Sequence, residues 1–564
     1  MRTNASWVVA LLAVPSLAGA QDPDYDLILS GGHVLDGTGN PWFQADVAVE
    51  DGRIAAVGSL EDASAERVVD VSGQIVAPGF IDIHSHAGGS LTEDDPELRA
   101  APNLVHQGIT TVVINQDGRS PWPIREQRES LEETDFGPNV LQMVGHGPIR
   151  QEAMDETDRE ATEEEVEEMR RLTQQAMEEG AVGVSAALEY NPGRYADTDE
   201  LVAMVEEITP RDGVYISHQR SEGSDPMWWW PSQDEPGPPN LLDSVLETIE
   251  IGERSGAVVV ASHIKAKGAH YWGSGEAAIR LIDEARDRGV RIYADQYSYN
   301  TTGSDGNTNP VPGWAYARGE ELLEEDMAGD GGELQDVTDA DRLERILEEP
   351  EYAEKVRKDV AHEIQRRGGV DGLVLVRFPD DDLEGLTLAE VAERWDVDAV
   401  EAAIELQFAG DPDTRSGGQL RGFSLWEGDI VNYMEEEWVA AASDAGIALP
   451  GEGLPHARFY GNFPRKIAHY ARDEEVLSVA DAVRSATTLP ARIMGLTDRG
   501  MVTEGHHADL VVLDLEELED RTTFFDPHQY PEGVEYVFVG GSAVVDGGEL
   551  TWERPGSLIG PEDR

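Results

Sequence analysis

Phe80-Ile81-Asp82-Ile83-His84-Ser85-His86 is the stretch from which the rest of the chain can be read. Its apolar start suits a buried strand, and two histidines follow two residues apart. Alternation along an extended backbone sends both imidazoles to one side, which is what a shared cation requires. Four other short runs end in a residue of the same chemical kind: Gln116-Asp117, Ser217-His218, Ser262-His263 and Ser443-Asp444. Together they describe one metal site assembled from distant pieces of sequence.

Outward from His84, apolar runs alternate with helical stretches, the texture of βα units around a parallel sheet. Eight strands can be placed, over 76–84, 110–116, 140–145, 182–187, 214–218, 257–262, 290–297 and 439–444. Helices are clearest over 162–179 and 240–255. Eight strands predict a closed (β/α)8 TIM barrel, a fold whose catalytic residues lie at the C-terminal strand ends. Every ligand candidate falls at such an end. Residues 25–71 instead show short apolar segments divided by Gly-Gly, Asp-Gly and Gly-Ser pairs, which read as hairpins. The same texture returns at 508–513 and 534–539. The expected fold is therefore α/β, a metal-dependent (β/α)8 barrel over 76–499 with a small β-sandwich domain built from both termini, 24–75 and 500–556. Strand spacing breaks over about 300–437, an insertion long enough for a lid or substrate-binding element, or else an acidic solvated excursion.

Composition narrows the function. Asp and Glu number 112 against 43 Lys and Arg, a formal net charge of −69, and the only lysines are Lys265, Lys267, Lys355, Lys358 and Lys466. A dense acidic surface with little lysine fits a halophilic protein, since salt screens its self-repulsion. Nucleic acid is excluded as a partner, because phosphate binding needs clustered cations. Twelve tryptophans and a full set of apolar strands argue against a mere cation buffer. Residues 1–20 carry Arg2, an apolar run from Trp7 to Leu17 and an Ala18-Gly19-Ala20 ending. This reads as a signal peptide, the alternative being an uncleaved anchor, although the run is short for a bilayer. Export to the periplasm or outside the cell is expected, with no membrane association after cleavage. Cysteine is absent, so no disulfides brace an exported fold.

The residues suggest how a cation would be used. His84, His86 and Asp444 could hold one ion, His218 and His263 a second, and Asp117 could bridge them. Imidazole and carboxylate suit Zn2+, one or two ions, with Mn2+ or Co2+ as substitutes. Such an ion acidifies water and polarises a carbonyl, and Asp444 could carry the proton as base and then acid. Plainer readings exist: His218 and His263 as structural histidines, Asp117-Gly118 as a turn, and Asp444 as a helix cap. Trp228-Trp229-Trp230 is either an aromatic wall beside the pocket or else a packed loop or an interface patch.

Ala77-Pro78-Gly79 running into the His84-Ser85-His86 stretch resembles the opening of the amidohydrolase superfamily. Gly108-Ile109-Thr110-Thr111, Gly145-His146-Gly147-Pro148-Ile149-Arg150, Ser262-His263-Ile264-Lys265, Asp295-Gln296-Tyr297-Ser298-Tyr299 and Phe463-Pro464-Arg465-Lys466 narrow the resemblance to its D-aminoacylase (N-acyl-D-amino-acid deacylase) branch. The resemblance implies a hydrolase of carbon-nitrogen bonds other than peptide bonds. It also implies His84 and His86 as ligands at one metal site, His218 and His263 at the other, and Asp444 as ligand and acid/base. Tyr297 and Arg458 would contact substrate, Arg458 by clamping a carboxylate with paired donors. One departure from the resemblance stands out: where its pattern has a cysteine this chain has Asp117, which leaves three readings of Asp117, bridging two ions, holding one, or holding none. The expected reaction is cleavage of a linear amide, an N-acyl-D-amino acid or small peptide-like substrate. The alternatives are a cyclic-amide hydrolase of the dihydropyrimidinase or imidazolonepropionase type and a non-catalytic, metal-free binding protein.

Overall fold

The computed structural model describes residues 23–303, 308–330 and 337–564, so the expected signal segment at 1–20 lies outside them. Among the described residues no helix is long and apolar enough to cross a membrane. The chain opens with strands β1 (Tyr25–Val34), β2 (Phe43–Glu50), β3 (Arg53–Gly58), β4 (Ala65–Asp70) and β5 (Ile75–Pro78). Asp51 and Gly52 join β2 to β3 with φ of +50° and +73°, as an Asp-Gly hairpin turn demands.

Gly79 then passes the chain into the barrel. A Cβ there would lie 2.2 Å from Thr110 Oγ1, so only glycine fits. The barrel strands are β6 (Phe80–Asp82), β7 (Ile109–Ile114), β8 (Asn139–Gln142), β9 (Val144–Gly145), β10 (Gly183–Ala187), β11 (Val214–His218), β12 (Val258–Ala261) and β13 (Ile292–Gln296). The insertion's hairpin, β14 (Leu373–Arg377) and β15 (Gln419–Gly422), precedes the last barrel strand, β16 (Val439–Ala441). Strands β17 (Leu510–Leu513), β18 (Val534–Val539), β19 (Ser542–Asp546) and β20 (Glu549–Leu550) return to the small domain.

The barrel strands run parallel in the orders β6-β7-β8 and β9-β10-β11-β12-β13-β16. Met143 bends one continuous segment from β8 into β9 while its N–H still bonds Ile114. At the other seam Asp444 N–H donates to His84 C=O and His86 N–H to Ala445 C=O, each at 2.9 Å. These bonds bring the last strand beside the first and complete the ring. Its interior holds Ile81, Ile83, Val113, Leu141, Ile216 and Val260. Outside, helix Glu163–Glu178 starts at a reciprocal Thr162/Glu165 cap, and helix Leu241–Ser255 runs from an Asn240 cap to Gly256 at φ +71°. Their apolar faces, including Met169, Leu172, Val245 and Ile249, pack onto the strands.

The first expected strand, 76–84, needs correction. Ala77 pairs with Val511 and Val76 with Val34, so β5 belongs to the small domain and the barrel begins at Phe80, four residues after the expected boundary at 76. The small domain is a nine-stranded sheet, β20-β19-β18-β17-β5-β1-β2-β3 with β4 on β1. Ile54 N–H bonds His506 and Ala508 N–H bonds Gly52, which returns β3 to the segment entering β17. The sheet thereby wraps a core of Leu27, Val47, Ile54, Val69, Leu510 and Phe538. Its other face, with Ile75, Ala77, Val511 and Val537, packs on Phe80, Ile109 and Val140 of the barrel. Neither terminal piece buries its apolar face alone.

The insertion has its own core, including Leu343, Val356, Val360, Leu373, Val391 and Leu406. It docks on loops at the barrel mouth: Gly268 N–H bonds Ser424, Ala269 N–H bonds Gln365, and Arg366 pairs with Asp225 at 2.6 Å.

Candidate metal centre

The ends of five barrel strands deliver the site. His84 and His86 follow β6, and His218 ends β11. Asp117 lies in the turn after β7, where Asn115, Asp117 and Gly118 have φ of +67°, +55° and +64°. A Cβ on Gly118 would sit 2.8 Å from Ala187 N, so the turn packs hard against β10. The turn reading and the ligand reading of Asp117 are thus compatible, since the turn aims its carboxylate inward. His263 and Asp444, after β12 and β16, also adopt positive φ, +34° and +49°. Such backbone is disfavoured without a Gly and concentrates where geometry serves a site.

Asp117 stands between two groups. His84 Nε2 lies 3.5 Å from both Asp117 Oδ1 and Asp444 Oδ1, and His86 Nε2 lies 3.5 Å from Asp117 Oδ2 and 3.0 Å from Asp444 Oδ1. On the other side, Asp117 Oδ1 is 3.7 Å from His218 Nδ1 and 3.5 Å from His263 Nε2, with those nitrogens 2.9 Å apart. Each group keeps its candidate ligand atoms within 4.8 Å of one another. His84 Nε2 and Asp117 Oδ1 are buried and have no hydrogen-bond partner. Buried polar atoms are rarely left so, and a divalent cation on either side of Asp117 would satisfy them. The nitrogen and oxygen donors fit zinc.

Electrostatics separate the histidines: burial and Lys265 oppose the charge on His263, but Asp117 and Glu222 raise it to about 10, and Asp444 and Asp117 raise His86 against burial. Burial pushes His84 down to about 3 despite Asp117 and Asp444, leaving the neutral imidazole that binds metal. Burial opposes the charge on Asp444, but Arg458 at 2.7 Å and then His86 hold it below the usual carboxylate range. Asp117 is likewise held well below its usual value: burial raises it, and His84 and His263 lower it further.

The sequence reading missed the groups behind the histidines. Glu189 Oε2 lies 3.2 Å from His218 Nε2, and its other oxygen accepts the Met227 N–H at 2.8 Å. Glu222 Oε1 lies 3.1 Å from His263 Nδ1, and Glu222 also pairs with Lys265 and Lys267. His84 Nδ1 meets Ser262 Oγ at 2.5 Å, and that hydroxyl donates to Asp295 Oδ2 at 2.7 Å. Burial raises Asp295 to about 6. Partners of this kind decide which imidazole nitrogen faces the centre. One signal was available: Glu189 follows β10, a strand end to which no ligand had been assigned.

A cavity of about 380 Å3 opens over the centre, lined by His86, Asp117, His263, Asp444, Tyr297 and Arg458 among others. The Tyr297 ring sits near both Arg458, at 4.6 Å, and Lys265, at 5.5 Å, while its hydroxyl donates to Thr301 C=O. From the start of the insertion Thr302 and Gly303 reach the wall. Trp228-Trp229-Trp230 does not line it. Arg366 lies 5.0 Å from the Trp230 ring, Trp229 meets His362 edge-on, and Arg194 covers Trp228. The aromatic-wall reading therefore gives way to the packed-loop reading, because the tryptophans pack within the chain where the insertion meets the barrel.

A βα ring with histidines and carboxylates converging at its strand ends defines a metal-dependent hydrolase of the barrel type. The chain belongs to the amidohydrolase family, whose pattern matches residues 67–207 and 437–545. It is 31% identical to the N-acyl-D-glutamate deacylase of Alcaligenes xylosoxydans xylosoxydans over 559 residues, 95% of this chain and 96% of that one. A crystal structure of D-aminoacylase superposes with a TM-score of 0.71 at 28% identity, over 95% of this chain and 100% of that chain. The N-acyl-D-glutamate deacylase of Bordetella bronchiseptica, solved with zinc and a phosphonate mimic of the tetrahedral intermediate, superposes with a TM-score of 0.70 at 28% identity, over 96% and 100%.

Proposed function

We propose that this chain hydrolyses N-acyl amino acids, with the D series as its leading substrates, and that His84, His86, Asp117, His218, His263 and Asp444 hold its metal. The carrying observation is Asp444, whose Oδ1 lies among the candidate ligands while its Oδ2 meets Arg458 at 2.7 Å. Asp444 would be the proton carrier in this reading, with a guanidinium beside it. The relatives support the reading, since those named above are deacylases of N-acyl-D-glutamate and a D-aminoacylase.

When bound, zinc would supply Lewis acidity toward the amide carbonyl and lower the pKa of water. The chain does the rest. Arg458 keeps Asp444 ionised, the form that accepts a proton from attacking water. As the carbon-nitrogen bond breaks, the same carboxyl returns that proton to the departing nitrogen, leaving a free amine and a carboxylic acid. Arg458 retains an unpartnered Nε–H, and with Tyr297 and Lys265 nearby it would hold the substrate's α-carboxylate.

Zinc-, manganese- or cobalt-loaded protein is expected to turn over one member of a panel of paired D- and L-N-acetyl amino acids. Asp444→Asn should lower kcat by about a hundredfold or more, the usual worth of a general acid-base. No turnover across the panel, or full activity in Asp444→Asn, would refute the reading. We also infer export through residues 1–20, supported by their charge and apolar pattern. N-terminal sequencing of the secreted product should start near Gln21, and an intact Met1 would show that the segment is retained.

A further inference from the structure

Three cationic side chains line the cavity: Lys265, Arg458 and Arg119. Lys265 is held by Glu222 and lies 2.8 Å from His263 Nδ1. Arg458 is paired with Asp444. Arg119 has no carboxylate partner among the described residues, and its guanidinium lies 5.9 Å from the Tyr190 ring centroid.

Its place gives that vacancy a meaning. Past Asp117, Arg119 and Tyr190, which line both spaces, lies a second chamber of about 270 Å3. Apart from Asp117 and Arg119, the side chains of its wall bring no second Lys or Arg: Ser120, Gln151 and Asn191 are neutral, and His146 Nε2 is turned to Glu200 at 2.7 Å, which also pairs with Arg150. Arg119 is therefore the cation able to meet an anion where the two spaces join.

We propose that Arg119 anchors a second carboxylate of the substrate, so that preferred substrates are N-acyl amino acids bearing two carboxylates, one at Arg458 and one toward the second chamber. This rests on the amide-hydrolase reading above. A guanidinium presents coplanar paired donors that match a carboxylate, and the Tyr190 ring supports its cation. The second carboxylate can come from an acidic side chain or from a dicarboxylic acyl group, and both sources offer the same chemistry to Arg119.

The test compares zinc-loaded wild type, Arg119→Met and Arg119→Lys on racemic N-acetylglutamate, N-succinyl-leucine and N-acetyl-leucine. Arg119 is exposed, so the variants should keep the wild-type melting temperature. Arg119→Met is expected to lower kcat/KM on a doubly charged substrate by about tenfold to a hundredfold, through KM, while N-acetyl-leucine changes by less than about twofold, the signature of one lost charge-assisted hydrogen bond. Arg119→Lys should recover part of the loss. A loss confined to N-acetylglutamate identifies the side chain as the source, and one confined to N-succinyl-leucine identifies the acyl group. Equal loss on all three substrates, or none on any, overturns the proposal. Inactivity of the wild type on all three overturns the hydrolase reading and this inference with it, a result distinct from activity that ignores Arg119.

Discussion

Asp117 is the carboxylate that both histidine groups share. A carboxylate suits harder cations than a thiolate does. Asp117→Cys is accordingly expected to shift metal preference toward Zn2+ over Mn2+, read by competitive dialysis and elemental analysis. An unchanged ratio would show that Asp117 touches no metal. Behind the second histidine pair, Glu222 balances Lys265, Lys267 and His263 in a buried cluster. Glu222→Gln leaves those cations uncompensated and should cost about 3–5 kcal/mol in denaturant titration. A loss below about 1 kcal/mol would mean the cluster behaves like a surface ion pair. The six ligand candidates were legible because each closes an apolar run at a strand end. Glu189 and Glu222 were not, because standing behind an imidazole is a relation in space that no local pattern records.

At the level of elements, the helix Arg458–Arg465 and its continuation Lys466–Asp473 place Arg458 at the cavity and bury Lys466 eight residues on. The Lys466 ammonium has no hydrogen-bond partner, and burial, then Arg484, lowers its pKa to about 7. An unfolded lysine titrates near 10.4, so between about pH 7 and 10 the unfolded chain holds a proton that the folded chain has released. Stability therefore rises with pH across that window. Below it both states are charged, and the whole cost of burying the ammonium remains. Lys466→Met should stabilise most near pH 6 and progressively less toward pH 10, by unfolding midpoints measured along that range. A difference independent of pH would contradict the shift. The helices at Thr162 and Asn240 were readable from their caps, whereas the division of β5 from β6 at Gly79 was not. Pro78-Gly79 marks the place within 76–83, but only the pairing of Ala77 with Val511 assigns the residues before it to the other sheet.

For the whole molecule, a net charge of −69 makes self-repulsion the dominant long-range term. The screening length falls from about 10 Å at 0.1 M salt to about 3 Å at 1 M. The melting temperature is expected to climb over that range. Surface ion pairs weaken under the same change, so a flat or falling melting temperature would show that they, and not repulsion, govern stability. By itself the sequence determined the alternation of strand and helix, the ligand types at the strand ends and the domain shared by both termini. Periodicity, turn chemistry and caps act over a few residues and are written into the chain. Only the tertiary structure decided where the barrel begins, that Trp228-Trp229-Trp230 packs into the insertion, which carboxylates stand behind the histidines, and that Arg119 lines the cavity with no carboxylate partner among the described residues. Those facts depend on which distant surfaces meet, and a residue's periodicity states only which side of its own element it occupies.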